Sequence, residues 1–182
     1  GAPLPSVQPF GANDSAYSRP FPMDLIVGEI EIKQALLLAA CNPQLGGVII
    51  YGRRGSGKSC LARAIHRLLP TEIKRVKQSP YNVDPSDEHA VDSLLQQSLA
   101  KSGKSLHDLE TEFIPTPLVN LPLNVMEDSL LGSVDLEASM ESGKTIFSPG
   151  LLARAHRGIL QVDDINLLDA ETLSILFNVL IK

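Results

Sequence analysis

A glycine-rich segment that ends in a lysine and a serine contains the residues best suited to chemistry. The segment Gly52–Ser59 reads GRRGSGKS and satisfies the pattern G-x-x-x-x-G-K-[ST] in full. Its glycines let backbone N–H groups turn inward around phosphate groups, and the helix that follows adds its positive end. We therefore expect Lys58 to reach the β- and γ-phosphates of a nucleotide and Ser59 to ligate Mg²⁺. The residues predicted to bind the nucleotide in this segment are Gly52, Gly55, Ser56, Gly57, Lys58, Ser59 and Cys60.

Two adjacent aspartates, Asp163 and Asp164, form the second candidate. They follow the apolar run Gly158–Val162, which predicts a strand that delivers Asp163 to the sheet edge beside the phosphate loop, where it would serve Mg²⁺. Asp164 lies where many such ATPases carry the glutamate that activates water, and its side chain is one methylene shorter. We therefore expect Asp164 to be the catalytic residue that activates water, but to do so poorly. Gln161 is polar within the strand and must find a hydrogen-bond partner.

The remaining histidines, cysteines and serines predict no second site. The two cysteines, Cys41 and Cys60, provide neither a disulfide framework nor a zinc site, which favours a reducing compartment. Cys60 can also be read simply as a small residue that packs on its helix. The four histidines show no ligand spacing and are expected to be structural: His66, His89, His107 and His156.

Three predicted elements position these residues. The run Gly46–Tyr51 is apolar, β-branched and bounded by glycine, which predicts a strand buried on both faces. Lys58–Leu69 predicts an amphipathic helix that Pro70 ends. Ile159–Asp163 predicts the strand that carries the aspartates. The phosphate loop would thus join a buried strand to a helix.

The rest of the chain adds further helices and strands. Alternation of the two predicts an α/β fold with a parallel sheet. Residues 1–22 are predicted to form a flexible proline-rich arm, and residues 23–182 the folded domain. Helices are predicted over Glu29–Cys41, Ser86–Leu99, Gly150–His156, Asp169–Ile181 and part of Glu127–Gly143, a strand over Glu72–Lys77, an extended segment over Pro115–Pro122 and a turn over Lys101–Lys104.

Composition and charge exclude several classes of protein. A hydrophobic fraction of 43% and a charged fraction of 20% over 182 residues exclude disorder of the whole chain, and no apolar run is long enough to span a membrane. The net charge of −5 argues against a dedicated nucleic-acid binder. Basic residues are nevertheless concentrated between Arg53 and Lys77, where Glu72 is the single acid. This local positive field suits a polyanionic ligand such as a nucleotide, although a solvated helix face is the alternative.

With both motifs placed, residues 21–180 resemble the N-terminal AAA+ module of a magnesium chelatase subunit. The resemblance rests on segments that lie outside the phosphate loop: Ile26-Val27-Gly28, Leu121-Pro122-Leu123, Leu131–Asp135, Pro149–Ala153 and Asn166–Asp169. It implies a P-loop NTPase core of the AAA+ type, with a parallel sheet flanked by helices and with ATP and Mg²⁺ as cofactors. It also implies that Val27 and Gly28 border the adenine pocket. The family's sensor 1 strand would follow Lys182, so the chain alone is expected to be a fragment without ATPase activity.

The resemblance also implies a function. Such a subunit supports the ATP-driven insertion of Mg²⁺ into protoporphyrin IX in chlorophyll synthesis, in a hexameric ring with I subunits and together with the porphyrin-binding H subunit. It would lie in the cytoplasm of a cyanobacterium or in the chloroplast stroma. Gly52-Arg53-Arg54-Gly55 favours the D type over the I type, whereas Asp84–Asp87 resembles the I type. Two alternatives stay open: a non-catalytic nucleotide-binding scaffold of the same ring, and a related AAA+ ATPase that acts on DNA or as a chaperone.

Overall fold

The computed structural model describes residues 22–180 except 54, 78, 88–90, 93–94, 97–98, 101–102, 104 and 144, and six helices and six strands are bounded within these described residues. The helices are α1 (Ile30–Cys41), α2 (Lys58–Ala64), α3 (Glu127–Leu131), α4 (Leu136–Ser142), α5 (Leu151–Ala155) and α6 (Ala170–Leu180). The strands are β1 (Glu72–Val76), β2 (Thr111–Pro115), β3 (Leu118–Leu121), β4 (Gly132–Asp135), β5 (Ile146–Pro149) and β6 (Ile159–Val162). Short 3-10 turns lie at Met23–Leu25, Pro43–Leu45, Ile65–Leu68, Leu106–Asp108 and Ile165–Leu167.

The strands form three pairs, and the parallel pair positions the site. β3 and β6 run parallel, with Leu118 opposite Ile159 and Leu121 opposite Val162. β1 pairs with β2, and β4 with β5, in antiparallel ladders. The predicted α/β fold with a parallel sheet is thus confirmed, whereas the antiparallel pairs were not foreseen.

The predicted strand over Gly46–Tyr51 is wrong for the structure described here, because the segment joins no ladder. Val48 and Ile50 pack in an apolar cluster beside α2, while Ile49 and Tyr51 face solvent. A ladder needs a neighbouring strand to satisfy backbone N–H and C=O groups. An apolar run predicts that a segment is buried, but it does not predict whether another strand lies beside it.

The helix after the phosphate loop is also shorter than predicted. α2 ends at Ala64, and a 3-10 turn continues it through Leu68. Such tightening is common where a helix ends, here just before Pro70. The inward face is as expected, since Leu61 and Ile65 are buried.

Most other elements lie close to their predicted positions. The helices predicted over Glu29–Cys41, Gly150–His156 and Asp169–Ile181 are confirmed as α1, α5 and α6. The segment Glu127–Gly143 is helical in part, as expected, with β4 between α3 and α4. The predicted helix Ser86–Leu99 and the turn Lys101–Lys104 fall partly outside the described residues. The predicted start of that helix is wrong, because Ser86, Asp87, Val91 and Asp92 are not helical, whereas Leu95–Gln96 and Leu99 are. Asp92 rather than Ser86 provides the cap, since its Oδ1 accepts from the amide of Leu95 at 2.8 Å. Residues 1–21 of the predicted arm lie outside the description.

Two apolar clusters enclose the strand β6. On one face Ile159 packs in the cluster of Leu36, Leu61 and Ile65, which joins α1 to α2. On the other face Leu160 and Val162 pack against a second cluster. β6 is therefore held from both sides, and its carboxyl end is fixed relative to α2. No helix among the described residues is long and apolar enough to cross a membrane.

Candidate functional site

The phosphate loop folds around the ammonium group of Lys58. Lys58 Nζ donates to the carbonyl oxygen of Gly52 at 2.9 Å, to that of Arg53, and to Ser56 Oγ at 3.3 Å. Gly55 and Gly57 both adopt φ of +80°, a left-handed conformation that side-chain-bearing residues rarely adopt. The carbonyl and hydroxyl oxygens of the loop thus bind the Lys58 ammonium group in the way that phosphate oxygens of a nucleotide would.

A hydrogen bond joins the start of α2 to the end of β6. Ser59 Oγ donates to Asp163 Oδ1 at 2.7 Å, although the two residues are 104 positions apart in sequence. The other carboxylate oxygen, Asp163 Oδ2, accepts a hydrogen bond from Gln161 Nε2 at 3.0 Å. The expectation that Gln161 needs a partner is thereby met for its amide N–H within the site itself.

This pair of oxygens fits a magnesium ion. Mg²⁺ is usually bound by one or two protein oxygens together with phosphate oxygens and waters, rather than by a cage of side chains. A hydroxyl and a carboxylate in contact at the rim of a phosphate loop provide that donor set. The described residues contain no cluster of three or more histidine, cysteine or acidic side chains that could hold a metal in another way.

Asp164 has surroundings different from those of its neighbour. Its backbone is left-handed, with φ of +50°, and it begins the 3-10 turn Ile165–Leu167. Aspartate tolerates this conformation better than most residues do. Both aspartates are exposed, but within the described chain no hydrogen bond to the Asp164 carboxylate is found.

The segment predicted to border the adenine lies close to α2. Met23 and Ile26 pack on the cluster that includes Leu61, and Lys33 Nζ donates to the carbonyl oxygen of Ile26. Gly28 adopts φ of +78°, and the side chain of Val27 is 95% exposed. Cys60, on α2, is a half-buried free thiol, in keeping with its reading as a packing residue.

Arg157 anchors the chain as it enters β6, a feature that sequence reasoning missed. Its guanidinium donates to Asp84 Oδ2 at 2.7 Å and to the carbonyl oxygens of Lys74 at 2.6 Å and Asn82 at 3.3 Å. Asn82 Nδ2 in turn donates to the carbonyl oxygen of His156 at 3.2 Å. The signal in the sequence that could have indicated this role was Arg157 directly before Gly158, where the predicted strand begins.

The same network perturbs two titratable groups. Burial would raise the pKa of Asp84, but hydrogen bonds from Ser86 and the charge of Arg157 together hold that pKa below its usual value. Burial, reinforced by the charge of Arg157, lowers the pKa of His156. His66, expected to be structural, places Nε2 2.7 Å from the carbonyl oxygen of Thr116.

Comparison with known proteins relates the chain to magnesium-chelatase subunits. The chain is 46% identical to magnesium-chelatase subunit ChlI of Trieres chinensis and 44% identical to that of Nostoc sp., in each case over 158 residues or 87% of the chain. It is 41% identical to the magnesium-chelatase 38 kDa subunit of Chlorobaculum tepidum. The chain is a homologue of magnesium-chelatase subunits. It spans less than half the length of these relatives, 43%, 41% and 40% respectively.

A solved structure leads to the same conclusion about the fold. The complex between subunits BchI and BchD of magnesium chelatase, from a cryo-EM reconstruction, superposes with a TM-score of 0.68 at 37% identity, over 91% of this chain and 48% of the matched chain. The AAA+ fold is thus the fold of this magnesium-chelatase homologue. A comparison with protein-family models found no match. These similarities do not distinguish the D type from the I type.

Proposed function

We propose that the chain is the nucleotide-binding part of a magnesium-chelatase AAA+ subunit and that its phosphate loop binds Mg-ATP. The contact between Ser59 and Asp163 carries the proposal, because it brings a hydroxyl and a carboxylate together at the rim of the loop that holds Lys58. A chance match to the glycine-rich pattern would not require an acid from a distant strand at that position.

Each residue of the site then has a separate task. Lys58 would exchange its loop oxygens for the β- and γ-phosphate oxygens, a charge-assisted contact. Ser59 and Asp163 would hold Mg²⁺, which neutralises charge on the phosphates when bound. Val27 and Gly28 would border the adenine. Asp164 would accept the proton of the attacking water.

At the level of the complex, the chain would support the ATP-driven insertion of Mg²⁺ into protoporphyrin IX. It would act in a hexameric ring with I subunits and with the H subunit. Support comes from relatives of cyanobacterial and chloroplast origin and from a structural neighbour that is itself a BchI–BchD complex. Those relatives favour the cytoplasm of a cyanobacterium or the chloroplast stroma as its location.

We assign the chain to the D type. The loop start Gly52-Arg53-Arg54-Gly55 and the segment Leu130–Asp135 favour D, whereas two of the relatives compared above are named subunit ChlI. Reconstitution tests the assignment and the function together. The full-length protein should restore Mg²⁺ insertion, followed by product fluorescence, when it is added to I and H subunits, and it should not replace the I subunit. If the protein replaced neither the D subunit nor the I subunit in this assay, the proposed function would be wrong.

A non-catalytic scaffold is the second candidate. It is favoured by Asp164, whose side chain is short, whose backbone is left-handed and whose carboxylate is exposed. Its test is the ATPase rate of the full-length protein in the assembled ring when every other subunit carries an inactivated phosphate loop. A scaffold would bind ATP without turnover, and a catalytic subunit would hydrolyse it.

A further inference from the structure

Gln161 is a polar side chain in the interior of β6. It is 6% exposed and lies opposite Asn120 of β3 in the parallel register. Its neighbours along the strand, Leu160 and Val162, pack into the apolar core. A glutamine at such a position is costly unless its amide is hydrogen-bonded.

Only the nitrogen of the Gln161 side-chain amide has a hydrogen-bond partner among the described residues; the oxygen has none. Nε2 donates to Asp163 Oδ2 at 3.0 Å, whereas Oε1 is buried and accepts no hydrogen bond from the described residues. Rotating the amide by half a turn would place Oε1 against the carboxylate, and two acceptors repel each other. Asp163 therefore decides the orientation of the amide.

The consequence for Asp163 is a carboxylate held at both oxygens. Oδ1 accepts from Ser59 and Oδ2 accepts from Gln161, so that rotation of the carboxylate about its last bond would break one of the two contacts. Groups that hydrogen-bond to a metal-binding carboxylate orient it and tune its affinity for the metal. An apolar side chain of the same shape would remove the orphaned oxygen and also this restraint.

We propose that Gln161 is a positioning residue of the magnesium site, which acts through Asp163; this inference rests on the proposed function. It fixes the plane of the Asp163 carboxylate so that Oδ1 stays beside Ser59 and available to the ion. The role of the amide N–H in holding Asp163 thus explains why a glutamine occupies this position although its buried carbonyl oxygen is unsatisfied.

The test compares ATP affinity with Mg²⁺ and with EDTA in the full-length protein. In Gln161→Met, affinity for Mg-ATP should fall by about tenfold, while affinity for metal-free ATP and the thermal midpoint should not fall. The Mn²⁺ electron paramagnetic resonance spectrum of bound Mn-ATP should broaden as the ligand field becomes less ordered. Asn120→Met, on the exposed register partner of Gln161, is the matched control and should change none of these. Gln161→Leu serves if the methionine variant does not fold.

A double-mutant cycle separates positioning from packing. If Gln161 acts through Asp163, Gln161→Met should have no further effect on Mg-ATP affinity in the background of Asp163→Asn. Equal losses with and without Mg²⁺, or fully additive losses, would overturn the inference. The same titration on Lys58→Ala tests the proposed function separately. Undiminished binding there would refute the nucleotide site, whereas loss there with no effect of Gln161→Met would refute the positioning role alone.

Discussion

At the scale of residues, Asp163 and Asp164 are neighbours whose carboxylates have different surroundings. Both oxygens of Asp163 accept hydrogen bonds, from Ser59 and Gln161. Asp164, although exposed as Asp163 is, lies on a left-handed backbone at the start of a 3-10 turn, and its carboxylate accepts no hydrogen bond from the described residues. The two carboxylates are therefore expected to serve different steps, metal binding and water activation.

Substitution to asparagine should separate those steps. Asp163→Asn should weaken Mg-nucleotide binding, because it removes the negative oxygen beside Ser59. Asp164→Asn should leave nucleotide binding intact and lower an already slow hydrolysis only slightly, whereas Asp164→Glu should raise hydrolysis in the assembled ring. Nucleotide affinity and phosphate release measure the two effects. Brisk wild-type hydrolysis that Asp164→Asn abolishes would show instead that Asp164 is a competent base.

The pKa of His156 predicts a dependence of stability on pH. Burial and the charge of Arg157 lower that pKa in the folded state below its ordinary value of 6.5. The unfolded chain therefore binds the proton more readily, and the free energy of unfolding should decrease as the pH falls below about 6.5. His156→Gln should reduce this decrease in denaturant titrations between pH 7.5 and pH 5.5. Identical pH profiles for the variant and the wild type would contradict the assignment.

At the scale of elements, β6 depends on the chain that enters it. Arg157 is left-handed, with φ of +62°, and Gly158 follows at the point where β6 meets β3. The amide of Ile159 donates to the carbonyl oxygen of Pro117 at 2.9 Å. Close backbone approach at Gly158 thus sets the register that places Asp163 at the end of β6.

Gly158→Ala should test that close approach. A Cβ atom there would lie 2.7 Å from Pro117 Cβ and closer still to its carbonyl oxygen, so β3 and β6 would have to separate. We expect a loss of stability of about 1–3 kcal/mol, visible as a lower thermal midpoint. Gly47→Ala is the control, since its added methyl meets the flexible side chain of Leu180. A midpoint as high as that of the control would show that β3 and β6 are not packed this closely.

Local patterns predicted some elements, and pairing decided the others. The helix over Glu29–Cys41 followed from its apolar spacing and from Asn42-Pro43 at its end. The segment Gly46–Tyr51 has the composition of a strand but finds no partner among the described residues. The pair β4–β5 escaped notice because Gly132–Asp135 has no clear alternation and lies within Glu127–Gly143, which was predicted to be helical in part.

The site shows the same division between motif and three-dimensional contact. The phosphate-loop pattern and the acid after an apolar strand predicted that Ser59 and Asp163 would serve one ion, and their side chains are in contact. Gln161 was recognised only as a side chain in need of a partner. The bond between Arg157 and Asp84 could not be predicted, because it spans 73 residues and depends on the fold.

At the scale of the whole molecule, charge is unevenly distributed and partly compensated. The net charge is −5, yet the segment from Arg53 to Lys77 is strongly basic. Arg75 pairs with Glu112 of β2 and Lys77 with Glu110, which directly precedes β2, so these two acids neutralise part of the segment. Arg53 is exposed at the loop, where a neighbouring subunit or the nucleotide could meet it.

Charge reversal at Arg53 and Arg54 should weaken assembly with the I subunit. If these residues contact a neighbour, the double substitution to glutamate should lower co-purification, and the loss should be smaller at high salt because exposed charges are screened. Lys77→Glu, which reverses one charge at an exposed site of the same segment, is the control. Unchanged assembly at both salt concentrations would mean that the two arginines are simply solvated.

Equilibrium binding of a fluorescent ATP analogue to the full-length protein tests the central claim most directly. In the wild type the analogue should bind with Mg²⁺. In Lys58→Ala the affinity should fall by at least about tenfold, because the phosphate charge loses its ammonium partner. Lys77→Ala, in the same basic segment, should bind as the wild type does. Undiminished affinity in Lys58→Ala would contradict the assignment of Gly52–Ser59 as a phosphate loop.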